Sequence, residues 1–337
     1  MSTPGTQTTF SAEDYFRTQH PPPTLEHDVE KVRAFVTRHR EEGRPVVLVT
    51  SGGTTVPLER NVVRFLDNFS AGTRGATSAE YFLQAGYAVI FMHRQFSLQP
   101  FSRHFSHSTN PFLEFLEIGP SNPMSPIEPG SASEEGETVK VLPSMRKELL
   151  TVLRQYHAVQ RAGTLLTLNF VTVDDYLFML RAVAQELEPL GRRAMFYLAA
   201  AVSDFFLPTQ KMSEHKIQSG KGSLQIEMDQ VPKILKPLRD YWTPEGFIVS
   251  FKLETDPSLL IPKARQALER YGHKLVIGND LYRRKFEVVF VEKDADSKDG
   301  FRETWVRLPE GKTEIEEEMI KKLVEMHAAW KEEKGRT

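Results

Sequence analysis

The sequence predicts an α/β fold built on a largely parallel sheet with helices on both faces. Three observations carry that expectation. Short aliphatic and β-branched runs without polar alternation recur along the chain, as strands buried on both faces require. Amphipathic helical stretches separate them, so strand and helix alternate over the whole length. The polar clusters Gly52-Gly53, Ser203-Asp204, Lys252 to Glu254 and Gly278-Asn279 each follow a strand. That gathers them beyond the carboxyl ends of the strands, where such sheets take their ligands.

The 337 residues, 40% hydrophobic and 26% charged, suffice for one large domain with a sizeable core. A formal net charge of −2 leaves no broad basic field, which disfavours nucleic acid as the main partner. Any anionic ligand would be held by local groups. The chain has no cysteine, hence no disulfide, thiolate nucleophile or Cys metal site, which suits a reducing compartment. No apolar run reaches the roughly 18 residues of a membrane span, and no signal-peptide apolar region opens the chain. The expected location is cytoplasmic, with access to the nucleus left open.

Residues 1–24, rich in Thr, Ser and Pro, read as a flexible tail, with Phe10, Tyr15 and Phe16 able to dock. From Leu25 to Glu42 the residues Val29, Val32, Phe35 and Val36 fall at helical spacing, and Gly43 offers a stop. Val46 to Val49 is the first buried strand, ended by Thr50-Ser51-Gly52-Gly53. A glycine pair there is either a plain turn or a place where backbone approaches a ligand. The second cluster, Gly72-x-x-Gly75, stands between Asn68-Phe69-Ser70 and a helical run from Ala76 to Ala85. Unpaired N–H groups at such a helix start, together with the helix dipole, suit phosphate. Tyr87 to Met92 then closes a strand-loop-helix-strand unit, whose crossover is right-handed. His93-Arg94 stands where a dinucleotide fold carries an acidic residue for the ribose, which counts against NAD.

Residues 118–139, rich in Pro, Ser and Glu, read as a disordered insertion. The fold resumes with a helix over 144–161, a strand over 164–172, a helix over 174–187 and a strand over 194–202. The run Ala199-Ala200-Ala201 at the end of that strand is tight packing, or backbone against which a ligand lies. Residues 205–229 show little pattern, and the loop from Glu214 to Gly222 reads as solvated surface or a functional loop. A short helix from 231, a strand over 247–251, a helix stopping at Gly272, strands over 274–277 and 286–291 and a charged helix over 314–332 complete a single domain spanning 25–335.

These residues resemble a known family. The segments VTSGGTTVPLERNVVRFLDNFSAGTRGA, FYLAAAVSDF, EHKIQS and SFKLETD, with the strand-end Asn279, are similar in order and spacing to the phosphopantothenate-cysteine ligases of the eukaryotic, stand-alone type. The likeness covers residues 30–335 apart from the insertion. It implies a Rossmann-like sheet with an added dimerisation element, a homodimer, and ligation of 4′-phosphopantothenate to L-cysteine in coenzyme A biosynthesis. The implied route is an acyl-nucleotide intermediate, with release of pyrophosphate and AMP. By the same likeness Gly52, Ser70, Gly72 and Gly75 hold the nucleotide phosphates and sugar, and Phe251 and Asn279 surround the base and ribose. Asn68, Ala200, Ala201 and Asp204 contact phosphopantothenate, and Arg64 reaches the neighbouring subunit's substrate.

Asn68 and Lys216 are the residues expected to be catalytic. An amide at Asn68 can hold the acyl intermediate without competing as a nucleophile, and a cation at Lys216 offsets charge growing on the phosphates. Lys216 matches the first lysine of a Lys-x-Lys-Lys loop in bacterial relatives, where Gln218 and Ser219 replace the later lysines here. ATP is the expected co-substrate, with CTP the alternative. Mg²⁺ is expected to bridge triphosphate oxygens and water rather than a protein cluster. Two other readings stand beside this one. An NADP-dependent oxidoreductase is suggested by the opening unit and Arg94, but Gly-x-Gly-x-x-Gly is missing after Val49. A non-catalytic nucleotide-binding scaffold would not need Asn68, Asp204 and Lys216 together.

Overall fold

The structure, a computed structural model, describes residues 10–105, 112–120, 137–218 and 222–333. Helices α1 (Ala12–Thr18) and α2 (Leu25–Glu41) lead into β1 (Val46–Ser51), the hairpin of β2 (Thr55–Pro57) and β3 (Phe65–Asp67), α3 (Thr73–Gln84) and β4 (Ala88–Arg94). The ribbon of β5 (Leu116–Pro120) and β6 (Glu137–Val141) follows, then α4 (Pro143–Ala162), β7 (Leu165–Phe170), α5 (Val173–Leu187) and β8 (Ala194–Leu198). Next come the pair β9 (Phe205–Phe206) and β10 (Asp229–Gln230), the single turn α6 (Leu235–Pro237), β11 (Phe247–Glu254) and α7 (Pro257–Tyr271). Strands β12 (Leu275–Asp280), β13 (Glu287–Lys293) and β14 (Phe301–Arg307) and helix α8 (Glu316–Glu332) end the described chain.

Eight of the described strands form one sheet in the order β14-β13-β12-β11-β8-β1-β4-β7. From β7 across to β12 the strands run parallel, and β13 and β14 are antiparallel additions at one edge. In chain order the parallel strands stand 3-2-1-4-5-6, a doubly wound sheet whose order reverses between β1 and β8. The continuous apolar runs have a simple cause. Val46 and Leu48 pack into one core with α2 and α5, while Val47 and Val49 pack into the other with α3 and α8, so both faces of β1 are covered. Strand β14 was not anticipated: Phe301–Arg307 contains no apolar run, and Val306 is its one buried residue, as suits a strand at the edge of the sheet. Strand β11 runs past Phe251 to Glu254, and Asp256 caps α7 by accepting from Ser258 N over 2.9 Å.

Two expectations need correction. The ends of the 118–139 insertion are ordered as the β5–β6 ribbon, paired from Leu116 with Val141 to Pro120 with Glu137. Its middle, 121–136, lies outside the described residues. In the tail, residues 1–9 also lie outside them, but residues 10–24 are packed. Tyr15 is fully buried, its hydroxyl donates to Asp174 at the start of α5, and its ring meets the edge of Phe206. Phe16 stacks edge-on to Phe178 beneath the Arg181 guanidinium. The aromatic payload outweighs the polar, Pro-rich composition that suggested mobility. Tyr15→Ala is therefore expected to cost ~3–5 kcal/mol of stability, read as a lowered urea midpoint. An unchanged midpoint would mean the arm does not support the domain.

Buried histidines set the acid limit. Burial lowers His273 and His327 to about 4, and the neutral His327 accepts from Tyr87 Oη over 2.7 Å while donating to Arg192 O over 2.8 Å. Their folded pKa values lie below the unfolded value, so the unfolded chain binds protons first as pH drops. Their stabilising contribution is then lost between about pH 6.5 and 4. Asp174, pushed up to about 6 by burial, acts in the opposite direction over an overlapping range. With His93, also lowered by burial, adding to the two histidines, a net loss of stability is expected on acidification, checked by urea midpoints across that range.

Candidate active site

At the point where the strand order reverses, a cleft of about 740 Å³ opens beyond the strand ends. Its walls carry Asn68, Ser70 and Gly72 from the loop before α3, Ala200, Ala201 and Asp204 after β8, Phe251 of β11 and Asn279 of β12. The convergence expected from the sequence is thus realised for these residues. Helix α3 begins at Gly72, whose φ of +82° is a left-handed conformation, and no side chain caps it. The first N–H groups of α3 remain open to an anion. Ser51 Oγ donates to Gly72 O over 3.0 Å and anchors the loop to β1.

Gly52 and Gly75 shape this loop from behind and do not stand on the cleft wall. A Cβ on Gly75 would lie 2.4 Å from Ser51 Oγ, and one on Gly52 would lie 2.7 Å from Arg94 Cβ. Gly53, which the sequence offers only as half of a glycine pair at the strand end, is more demanding. A Cβ there would sit 1.6 Å from the carbonyl oxygen of Asn68, so only glycine lets Asn68 pass. Asn68 N in turn donates to Thr54 O over 3.1 Å. The alanine run is stitched to the same turn. Ala201 N donates to Gly52 O over 2.8 Å, Thr54 N to Ala201 O over 3.1 Å, and Ala200 N to Thr50 Oγ1 over 3.2 Å. Small side chains at 199–201 therefore bring backbone, not bulk, to the cleft.

The far end of the cleft is rigid and carries an unmet hydrogen bond. Phe251 meets Tyr197 edge-on at 4.9 Å, and Tyr197 Oη shares a 2.8 Å hydrogen bond with Ser78 Oγ. Asn279 is 6% exposed, and its Oδ1 is buried without a partner among the described residues. Such an acceptor is costly unless a ligand donor meets it. Asp204 is open to solvent, with Lys233 Nζ 3.9 Å away. Lys233 lines the cleft and was not singled out from the sequence, although a cation directly after Pro232 was visible there.

Arg64 and Lys216 do not line the cleft of their own chain. They are tied together by Glu59, a carboxylate with no exposed surface. Glu59 accepts from Arg64 N at 3.0 Å, the Arg64 guanidinium at 3.1 Å and Ile217 N at 3.3 Å, while Arg64 also donates to Ile217 O at 3.0 Å. Burial by itself would raise the Glu59 carboxyl, but these hydrogen bonds outweigh it and hold the group below the usual carboxylate range. Lys216 is exposed beside Ile217 on this stitched loop. A buried ionic partner of this kind leaves no local pattern, which is why Glu59 was missed.

Residues 158–326 match the family described as DNA/pantothenate metabolism flavoprotein C-terminal domain. The chain is 48% identical over 309 residues to the phosphopantothenate-cysteine ligase of Homo sapiens, covering 92% of this chain and 94% of the relative. It is 41% identical over 344 residues to phosphopantothenate-cysteine ligase CAB2 of Saccharomyces cerevisiae, covering 96% and 87%. The chain belongs to the phosphopantothenate-cysteine ligase family. A solved Cab2 variant in complex with phosphopantothenate-cysteine superposes with a TM-score of 0.82 at 42% identity, covering 94% of this chain and 98% of Cab2. The α/β fold of this ligase family is thus the fold described above. Arg94, which had suggested an NADP enzyme, is engaged within it: its guanidinium pairs with Asp67 across the glycine loop. Among the described residues no helix is long and apolar enough to cross a membrane.

Proposed function

We propose that this ligase family member joins 4′-phosphopantothenate to L-cysteine at the expense of ATP, in the cytoplasm. The observation that carries the reading is the cleft at the sheet's reversal point, where an uncapped helix start, a backbone-lined wall and the Phe251 and Asn279 side chains line one space. A carboxylate is a poor electrophile. Its oxygen first attacks the α-phosphorus of ATP, forming a C–O–P linkage and expelling pyrophosphate. The cysteine amine then attacks the acyl carbon, the C–O bond breaks, and AMP leaves with the proton passing to solvent.

The chain's own groups fit that sequence. The α3 N-terminus, with Ser70 and Gly72, holds the phosphates by backbone N–H groups and dipole. The Asn279 amide meets the base or ribose beside the Phe251 ring. The pantothenate arm lies along Ala200 and Ala201 towards Asp204, and the Asn68 amide donates to the acyl intermediate. Mg²⁺ bound to the triphosphate would supply Lewis-acid neutralisation of its charge. Mass detection of phosphopantothenoylcysteine with ATP or CTP in turn tests both the activity and the nucleotide choice. Product with ATP supports the reading, and none with either nucleotide overturns it.

A homodimer accounts for the placement of Arg64 outside its own cleft. The β2–β3 hairpin that carries Arg64 also exposes Val62, Val63, Phe65, Leu66 and Phe69, an apolar surface suited to a second copy. Arg64→Ala mixed with Asn68→Ala is then expected to recover up to about a quarter of wild-type activity, because random pairing leaves one intact site in half of the dimers. Mixed dimers no more active than their parents would remove the shared-site arrangement.

A further inference from the structure

We propose that Ser250, oriented by His273, forms with Lys252 the subsite for the carboxylate of the incoming amino acid. This rests on the ligase reading above. Ser250 and Lys252 stand two residues apart on β11, so they share a face of the sheet, and both line the cleft. Ser250 pairs with Leu198, two residues before the Ala200 backbone along which the acyl arm runs. The pair therefore stands on the β11 wall of the cleft that the Ala200 backbone also lines, and not in the loop before α3.

His273 dictates what Ser250 can offer. Its Nε2 lies 2.7 Å from Ser250 Oγ, its ring is 4% exposed, and its Nδ1 has no partner among the described residues. Burial keeps the ring neutral at physiological pH, with Lys293 adding to the effect. A neutral imidazole carries one N–H. Placing it on Nδ1 would bury an unpaired donor, which is rarer and more costly than an unpaired lone pair. The proton is therefore on Nε2 and donates to Ser250 Oγ. The serine hydroxyl keeps its own hydrogen to give into the cleft, so its ligand is an acceptor.

Lys252 supplies the charge. Its Nζ is 3.1 Å from Glu254 Oε1, but Glu254 also holds Lys263 Nζ at 2.7 Å. Lys252 thus shares its carboxylate with a second ammonium, on the cleft wall two residues along β11 from the hydroxyl donor. A recessed O–H donor on the same strand face as a cleft-lining lysine suits a small anion, and of the proposed reactants the amino acid's carboxylate is the one not already placed.

The test compares cysteine with cysteamine, which has the same amine and thiol but no carboxylate. Ser250→Ala and Lys252→Met are each expected to raise KM for cysteine about tenfold or more, leaving KM for phosphopantothenate, ATP and cysteamine within about twofold. His273→Phe should behave like Ser250→Ala, while His273→Gln, which keeps an N–H donor, should recover much of the loss. Thermal midpoints confirm folding. A single-turnover burst of pyrophosphate with ATP and phosphopantothenate but no cysteine reports the first half-reaction, and it should survive in every variant. If the burst persists but cysteine KM is unmoved, or if KM for phosphopantothenate rises instead, the subsite assignment is wrong. Absence of the burst in the wild-type protein would instead overturn the ligase reading beneath it.

Discussion

Asn68→Asp is expected to lower turnover by about 10²–10³-fold while leaving the protein folded and its quaternary state unchanged. The substitution keeps the size of the side chain and exchanges an amide donor for a negative charge beside an acyl phosphate. Asn68 stands on the cleft wall, its backbone N–H held by Thr54 O, and the side chain is half-buried, so the new carboxylate cannot simply swing into bulk water. The loss should fall on kcat, with the nucleotide KM little changed, because the amide acts on the acyl centre and not on the phosphates. Near-normal rates would take Asn68 out of the chemistry.

Gly53→Ala is expected to be nearly as damaging without touching a ligand. Its methyl group would stand 1.6 Å from Asn68 O and 2.8 Å from the Asn68 carbonyl carbon, so the backbone must move. A displacement near 1 Å at a reacting group costs about 10²-fold. The variant should retain the β1–β8 core, since the clash is confined to the loop above it. The check is kcat/KM alongside a thermal midpoint. Retained activity would mean that Asn68 tolerates displacement, and its proposed role would weaken with it.

The fold was legible where burial is two-sided. Val46–Val49 and Ala194–Leu198 read as strands because each face of the sheet is covered by helices, so no polar alternation interrupts them. β14, at the edge of the sheet, carried no such signal. The packed arm was legible only as three aromatic residues, because its burial depends on Asp174 and Phe206, far away in the chain. At the site, the glycine clusters and the alanine run announced close backbone approach, and the structure supplies the atoms each approach avoids. What the sequence could not show were partnerships made through space. Glu59 ties Arg64 to the Lys216 loop, and His273 sets the hydroxyl of Ser250, across separations that no periodicity or spacing records.

The most direct test of the central claim is pyrophosphate release by the purified protein with Mg²⁺, ATP, phosphopantothenate and cysteine, omitting each reactant in turn. Release that requires phosphopantothenate and ATP, and becomes sustained turnover only with cysteine, is the predicted result. A folded protein that releases no pyrophosphate with ATP or CTP would contradict it, leaving the cleft as a binding site without the ligation chemistry.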